Sequence, residues 1–503
     1  MIRRLILFEL RFWMRHPQLW IFLGLSFAFC FAIAVFEGGG VGSPGMVHVN
    51  SPLHVYELYA NLAFLWLPMV TAFVNATAIR DFACRTSDIV FSTVVSRRQY
   101  IVGRFVGSTL VALIPVLGIS LGLVVGSWVP YGDPIRFGPN NWLVHTQAIL
   151  WFGLTSIAFQ SALMFAIASH VRSTAAAFVT SVSLVVLSGI ASAYSTEVDN
   201  ALLSSLLDPF GNRALDQVTR YWSVVDNNTR LLPLLGPLTW NRLLWLGIGA
   251  AIFVFGYLRF SFTERKSNAA PIIAPVQDHG TGSGALPVVR LASGRSSQWR
   301  QFLGLVRSDL IGLLRTPITW IIIGLCLTML LFALSEVTSM FGNHSWPVTY
   351  NVIDLIRSVS LVIMVVIITF YSGELVWRDR ETNVDGISSG LPVRSRTIVL
   401  SKYAVLLTIG LGLLVLMGLA GIGRQLISGY THVQPGLYVT YLLIPGMFAF
   451  AFWSAIALAL QLVVNNKYIG FGLFVVLFAV NSMIWGFLKV SSNLVLLFGA
   501  PRM

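Results

Sequence analysis

The chain has 503 residues, 56% of them hydrophobic and only 11% charged, with a mean hydropathy of +0.77. A soluble domain carries about a quarter charged residues, so this composition excludes an ordinary water-exposed fold and demands lipid as solvent. The net charge of +13 does not mark a nucleic-acid binder, because the basic residues stand at the ends of apolar runs and form no single patch.

At the N-terminus, Arg4, Arg11 and Arg15 fall on one stripe of a helical wheel, with Ile2, Ile6 and Trp13 opposite. That pattern predicts an amphipathic helix lying in the headgroup layer, its cations toward lipid phosphates. Pro17 then opens the first span, where a missing N–H costs little. The apolar stretch is too long for a signal peptide and its approach is interrupted by Glu9, Arg11 and Arg15, so no cleavage is expected.

Apolar runs near the roughly 20 residues needed to cross a bilayer core follow at 18–36, 59–79, 105–128, 146–169, 174–194 and 241–260. Residues 261–297 break the pattern with Ser, Asn, Pro and Gly and read as a flexible linker. The second half supplies a further basic amphipathic segment, in which Arg300 and Arg307 oppose Phe302, Val306, Leu310 and Leu313, followed by Arg315 and Pro317. Five more runs lie at 317–336, 357–376, 403–424, 439–463 and 467–488. The expected organisation is therefore a first half over 1–260, a linker over 261–297 and a second half over 298–503.

The halves are copies. Arg15, Pro17, Trp20, Ile21, Gly24 and Leu25 recur as Arg315, Pro317, Trp320, Ile321, Gly324 and Leu325, at an offset of 300. Arg80, Asp81 and Arg98 recur as Arg378, Asp379 and Arg396, at an offset of 298. A period this long denotes a duplicated bundle and not a solenoid. Most of the 33 Lys and Arg residues fall on the side that carries the N-terminus, which the positive-inside rule assigns to the cytoplasm.

Polar residues inside the runs are few. Asn75 and Gln160 are expected to bond between packed helices, Glu374 to pair with Arg378 one turn on, and the Gly118, Gly122, Gly126 stripe to permit close helix packing. The chain has no Gly-x-x-x-x-Gly-Lys-Ser/Thr loop and no His-Glu-x-x-His, so neither a nucleotide-binding nor a zinc-hydrolase motif is present, and no catalytic or metal-binding residue is assigned. The most informative polar segments follow the second and eighth runs. One holds Arg80, Asp81, Asp88 and Arg98, the other Arg378, Asp379, Glu381, Asp385 and Arg396. Charges of both signs in two matching loops suit protein docking with a register set by ion pairs.

With these features the chain resembles the type-2 ABC exporter permeases, in which an interfacial elbow helix precedes span one and a coupling helix after span two docks on a cytoplasmic ATPase. The second copy fits well, with Arg378-Asp379-Arg380-Glu381, then Pro392-Val393-Arg394-Ser395-Arg396 and Lys402; the first departs, with Ala83 in the acidic place and Val94 in the proline place. The resemblance implies an all-α polytopic membrane protein made of two tandem bundles, six spans plus five, each preceded by an elbow. It further implies a separate ABC ATPase in two copies holding ATP and magnesium, coupled through the two loops, and a bacterial inner-membrane location. The two-half form is similar to permeases followed by a zinc aminopeptidase-like domain; no residue of one occurs here, no peptidase activity is inferred, and the odd span count suggests a second half cut short. The other functional classes open to the sequence are an ion-gradient-driven transporter and a membrane scaffold for an extracytoplasmic domain. The transported substrate is not legible.

Overall fold

The computed structural model describes residues 1–36, 47–64, 66–84, 86–129, 136–171, 174–193, 201–260, 295–337, 339–340, 343–344, 346–381, 386, 390, 393–464 and 466–488. Each apolar run lies in a helix. The first half has Pro17–Phe36, a broken pair Pro52–Phe64 and Trp66–Phe82, then Arg97–Gly126, Trp142–Val171, Thr174–Ala193 and Pro237–Arg259. The second has Pro317–Glu336, Thr349–Glu381, Ser395–Ile427, Pro435–Val463 and Lys467–Leu488. Among the described residues nine of these helices, or ten with the broken pair taken as one, are long and apolar enough to cross a membrane, Lys467–Leu488 being the exception. Following the eleven runs of the sequence, they are called spans one to eleven below. Elbow helices Ile2–Met14 and Arg295–Leu314 precede spans one and seven. The second elbow thus begins three residues before the expected boundary, and residues 261–294 of the linker lie outside the described residues.

Several helices overrun their apolar runs. Span three starts at Arg97 and not near 105 because Ser96 and Gln99 form a capping box, with Ser96 Oγ accepting from Gln99 N at 3.3 Å and Gln99 Oε1 from Ser96 N at 3.2 Å. Spans eight and nine have 33 residues each, about 50 Å of helix against a core of about 30 Å. Their surplus turns carry Arg378, Asp379 and Glu381 on one helix and Arg396 on the other.

Span two is broken where Pro68 has no N–H to offer the carbonyl of Phe64, and the two pieces meet at 56°. Gln160 of span four bonds beside the break, donating from Nε2 to Ala63 O, one residue before Phe64, at 3.3 Å. Asn75 donates to Tyr468 Oη at 3.0 Å. Both residues thus bond between helices, as their types suggested. The glycine stripe packs span three on span one, with the site of a Gly122 Cβ only 2.5 Å from Phe27 O.

Each half has its own apolar core. On the face away from the N-terminus, residues 201–236 form short helices (Ala201–Leu207, Asn212–Thr219, Val224–Thr229) over the first half. Buried Asp208 holds them by accepting from Ser188 Oγ at 2.9 Å and from the amides of Phe210 and Arg213. Buried Arg242 donates to Asn241 Oδ1, to Ser156 Oγ at 3.2 Å and to Pro209 O at 3.3 Å. Its guanidinium fills the space a side chain at Gly211 would need, and Gly211 sits at φ +87°, a left-handed conformation that favours glycine.

Candidate functional site: two charge clamps and the seam between the halves

The first elbow turns Trp13 and Glu9 inward, both buried, and leaves Arg4, Arg11 and Arg15 exposed. Trp13 Nε1 donates to Thr77 Oγ1 of span two at 3.2 Å. Glu9 can lie inside because two guanidiniums meet it, Arg80 from the end of span two at 2.5 Å and Arg104 from span three. Arg104 reaches Asp81 with its other nitrogen at 2.5 Å, and Tyr100 Oη donates to Asp81 at 2.7 Å. Gly107 lets the elbow approach, since a Cβ there would lie 2.8 Å from Glu9 Cβ. Burial raises the Glu9 carboxyl to about 7, against the opposing pull of Arg80. Arg80 also lies over the Phe12 ring at 4.4 Å.

The second half repeats this clamp at the offsets of the sequence repeat. Asp309 stands for Glu9 and takes Arg378, the counterpart of Arg80, at 2.6 Å. Lys402 stands for Arg104 and lies 3.4 Å from Asp379, the counterpart of Asp81. In both halves the tryptophan opening the span donates back to the elbow's end, Trp20 to Met14 O and Trp320 to Leu314 O, each at 2.9 Å. The second clamp is looser. Its lysine makes one contact to Asp379, with a further bond to Leu375 O. Tyr100 is replaced by Ile398, and the Asp379 side chain is 37% exposed against 8% for Asp81.

These pairings revise the picture of charged residues held out to a partner. Asp81 is not a surface handle: it is buried on Arg104 and Tyr100 because a carboxylate leaving the membrane next to two arginines is better satisfied within the chain. Arg80, Arg378 and Asp379 are bound in the clamps. Glu374 pairs with Lys467 of span eleven at 3.4 Å, and Arg378 is taken by Asp309, so the expected one-turn Glu374–Arg378 pair gives way to tertiary ones. Glu381 also meets Lys467, at 2.9 Å.

Among the residues the first loop exposes are Cys84, Ile89, Ser92, Thr93, Val94 and Arg98, and among those of the second segment Arg394 and Arg396. Asp385 and the Asp88 side chain lie outside the described residues. The second elbow buries Leu313 and exposes Arg300, Arg307 and Arg315; Pro17 and Pro317 open their spans as exposed first residues. Glu9, Arg104 and Asp309 were not singled out from sequence as site residues, and Lys402 only as part of the second-copy motif, although the 300 and 298 offsets relate the four in pairs.

The halves meet along a seam of spans one, two and five against seven, eight and eleven. Phe178 stacks on Phe370 with centroids 4.6 Å apart. Polar bonds across the seam include Asn75 to Tyr468 at 3.0 Å and Asn466 to Gln18 Oε1 at 3.4 Å. A small cavity of about 30 Å³ lies beside them, with Thr71, Phe178 and Ser181 on one side and Lys467, Tyr468 and Phe471 on the other. Among the described residues no three His, Cys, Asp or Glu side chains gather where they could hold a metal ion.

Residues 50–208 match a family model described as ABC-2 family transporter protein, and residues 306–481 match a second model of the same description. No curated protein and no solved structure matches the chain. The two matches fall one in each half, and ABC-2 permeases as a family work with an ABC ATPase. The chain belongs to the ABC-2 family of transporter proteins, as a multi-pass permease subunit carrying two copies of the family's membrane domain in tandem.

Proposed function

We propose that this permease belongs to an ATP-driven exporter of a bacterial inner membrane and is driven through the 80–98 and 378–396 loops by a separate cytoplasmic ATPase. One observation carries the reading: in both halves an acidic elbow residue grips the arginine at the loop base, while the loop's far side stays exposed. A loop braced at its root and open at its tip can take a push and pass it to the helices. The N-terminus, both elbows and the 261–297 linker are then cytoplasmic, joining halves at 1–260 and 298–503. The elbows lie in the headgroup layer with Arg4, Arg11, Arg300 and Arg307 toward phosphates. Two ATPase subunits, holding ATP and magnesium, serve the two loops, and the halves rock apart along the seam. The ion-gradient alternative is less well supported, because the buried carboxylates Glu9 and Asp81 lie at the loop base, paired with arginine, and not at mid-membrane.

Contact with the ATPase rests on Ile89, Val94, Arg98, Arg394 and Arg396 rather than on Asp81 or Asp379. Co-expression with the cognate ATPase tests this. The variant I89D/V94D/R394E/R396E is expected to lose co-purified ATPase while inserting and melting like the parent. Undiminished ATPase recovery would reject the docking assignment.

A further inference from the structure

We propose that Lys467 is the positioning residue through which the second loop acts on the seam, so that the two loops do different work. The inference rests on the coupling role of the loops given above. Lys467 opens span eleven and is almost wholly buried, yet its ammonium meets two carboxylates of span eight, Glu381 at 2.9 Å and Glu374 at 3.4 Å. Glu381 is where the helix passes into the 378–396 segment. The residues on either side of Lys467 hold the first half, Asn466 through Gln18 and Tyr468 through Asn75.

The same turn is fixed to span eight from a second direction. Gln461 Nε2 donates to Lys467 O at 3.5 Å, and Trp377 Nε1 donates to Gln461 Oε1 at 2.9 Å. Asn466 Oδ1 accepts from the Tyr468 and Ile469 amides at 3.0 and 3.1 Å, capping span eleven so that its first turn moves as a unit.

Distances decide what such a movement does. The cross-seam bonds measure 3.4 and 3.0 Å, and a displacement of about 1 Å takes both beyond hydrogen-bond range. The Lys467–Glu381 pair is sheltered from solvent at the lysine end, so it is screened less than a surface pair and can carry that displacement. Lys467 and Tyr468 also wall the seam cavity, which would change shape with the same step. The carboxylates of the first loop base offer no such route: Glu9 and Asp81 close on Arg80, Arg104 and Tyr100 of their own half. The first loop is braced against its elbow, and the second is linked as well to the joint between the halves.

The test uses the full permease–ATPase complex in lipid, with Cys84→Ser and nitroxides at Val171→Cys and Val463→Cys. These sites are exposed at the loop-side ends of spans four and ten, one in each half, while Cys30 and Cys326 are buried. Trapping with magnesium, ATP and vanadate is expected to shift the label distance in the parent. Lys467→Met should abolish the shift while ATPase still co-purifies and hydrolyses ATP, and Lys467→Arg should keep it. Glu381→Gln leaves Lys467 paired with Glu374, so the fold has no new buried charge, and it should also lose the shift. A full shift in Lys467→Met or Glu381→Gln overturns the role of Lys467 while leaving loop docking intact. A parent that binds no ATPase, or shows no shift, overturns the coupling reading and this inference with it; loss of ATPase from Glu381→Gln alone makes Glu381 a docking residue instead.

Discussion

Replacing the cation of each clamp by methionine separates a buried lock from a partly hydrated one. Arg104→Met leaves Glu9 with Arg80 and a long bond from the Thr77 hydroxyl, and Asp81 with only the Tyr100 hydroxyl, both carboxylates buried. Removing one partner of a buried pair costs about 3–5 kcal/mol. Lys402→Met removes the ammonium beside Asp379, whose side chain is 37% exposed, so water takes over much of the lost interaction and the cost falls to about 1 kcal/mol or less. Each kcal/mol moves the melting temperature of a domain of 150–250 residues by roughly 2–4 °C. Arg104→Met should therefore melt on the order of 10 °C below the parent and Lys402→Met within about 3 °C of it. The assay is thermal unfolding of the purified permease in detergent at pH 8, where Glu9, raised by burial to about 7, is ionised. Equal losses in the two variants, or no loss in either, would refute the argument that burial distinguishes the clamps.

Two further outcomes are expected. Because the folded pKa of Glu9, about 7, lies above its ordinary value of 4.5, the folded state binds the extra proton between those values. This contribution to stability is complete below pH 4.5 and falls away up to pH 7, by up to about 3 kcal/mol; melting from pH 5 to 8 should fall less steeply in Glu9→Gln, and parallel curves would count against it. Cys84, exposed in the first loop while Cys30 and Cys326 are buried, should react with a membrane-impermeant maleimide only in inverted vesicles; labelling in right-side-out cells would place that loop outside.

The spans were legible because an apolar run long enough to cross lipid has few other uses, and all eleven fall in helices. Their ends were less so, since span three is set by the Ser96–Gln99 cap and spans eight and nine run on past the lipid. The charged segments were found, but not the direction in which their side chains point. Asp81 looks in sequence like Asp379, and only packing shows one sealed against Arg104 and the other partly wet. Glu9 was available as a signal, being an acid on the inward side of an amphipathic helix whose partner copy has Asp309 in the same place. Lys467 carried no such sign; its meaning comes from meeting Glu374 and Glu381 93 and 86 residues earlier in the chain.

The Gln18–Asn466 and Asn75–Tyr468 bonds across the seam join unlike partners. By the repeat, the second-half counterpart of Gln18 is Ile318 and that of Asn75 is Gly373, neither with a side chain able to make such a bond. A two-fold homodimer must use the same patch on both subunits, and the second half mated with itself could not offer both members of these bonds. Tandem fusion fixes a one-to-one pairing of complementary halves, leaving each free to lose what the other supplies.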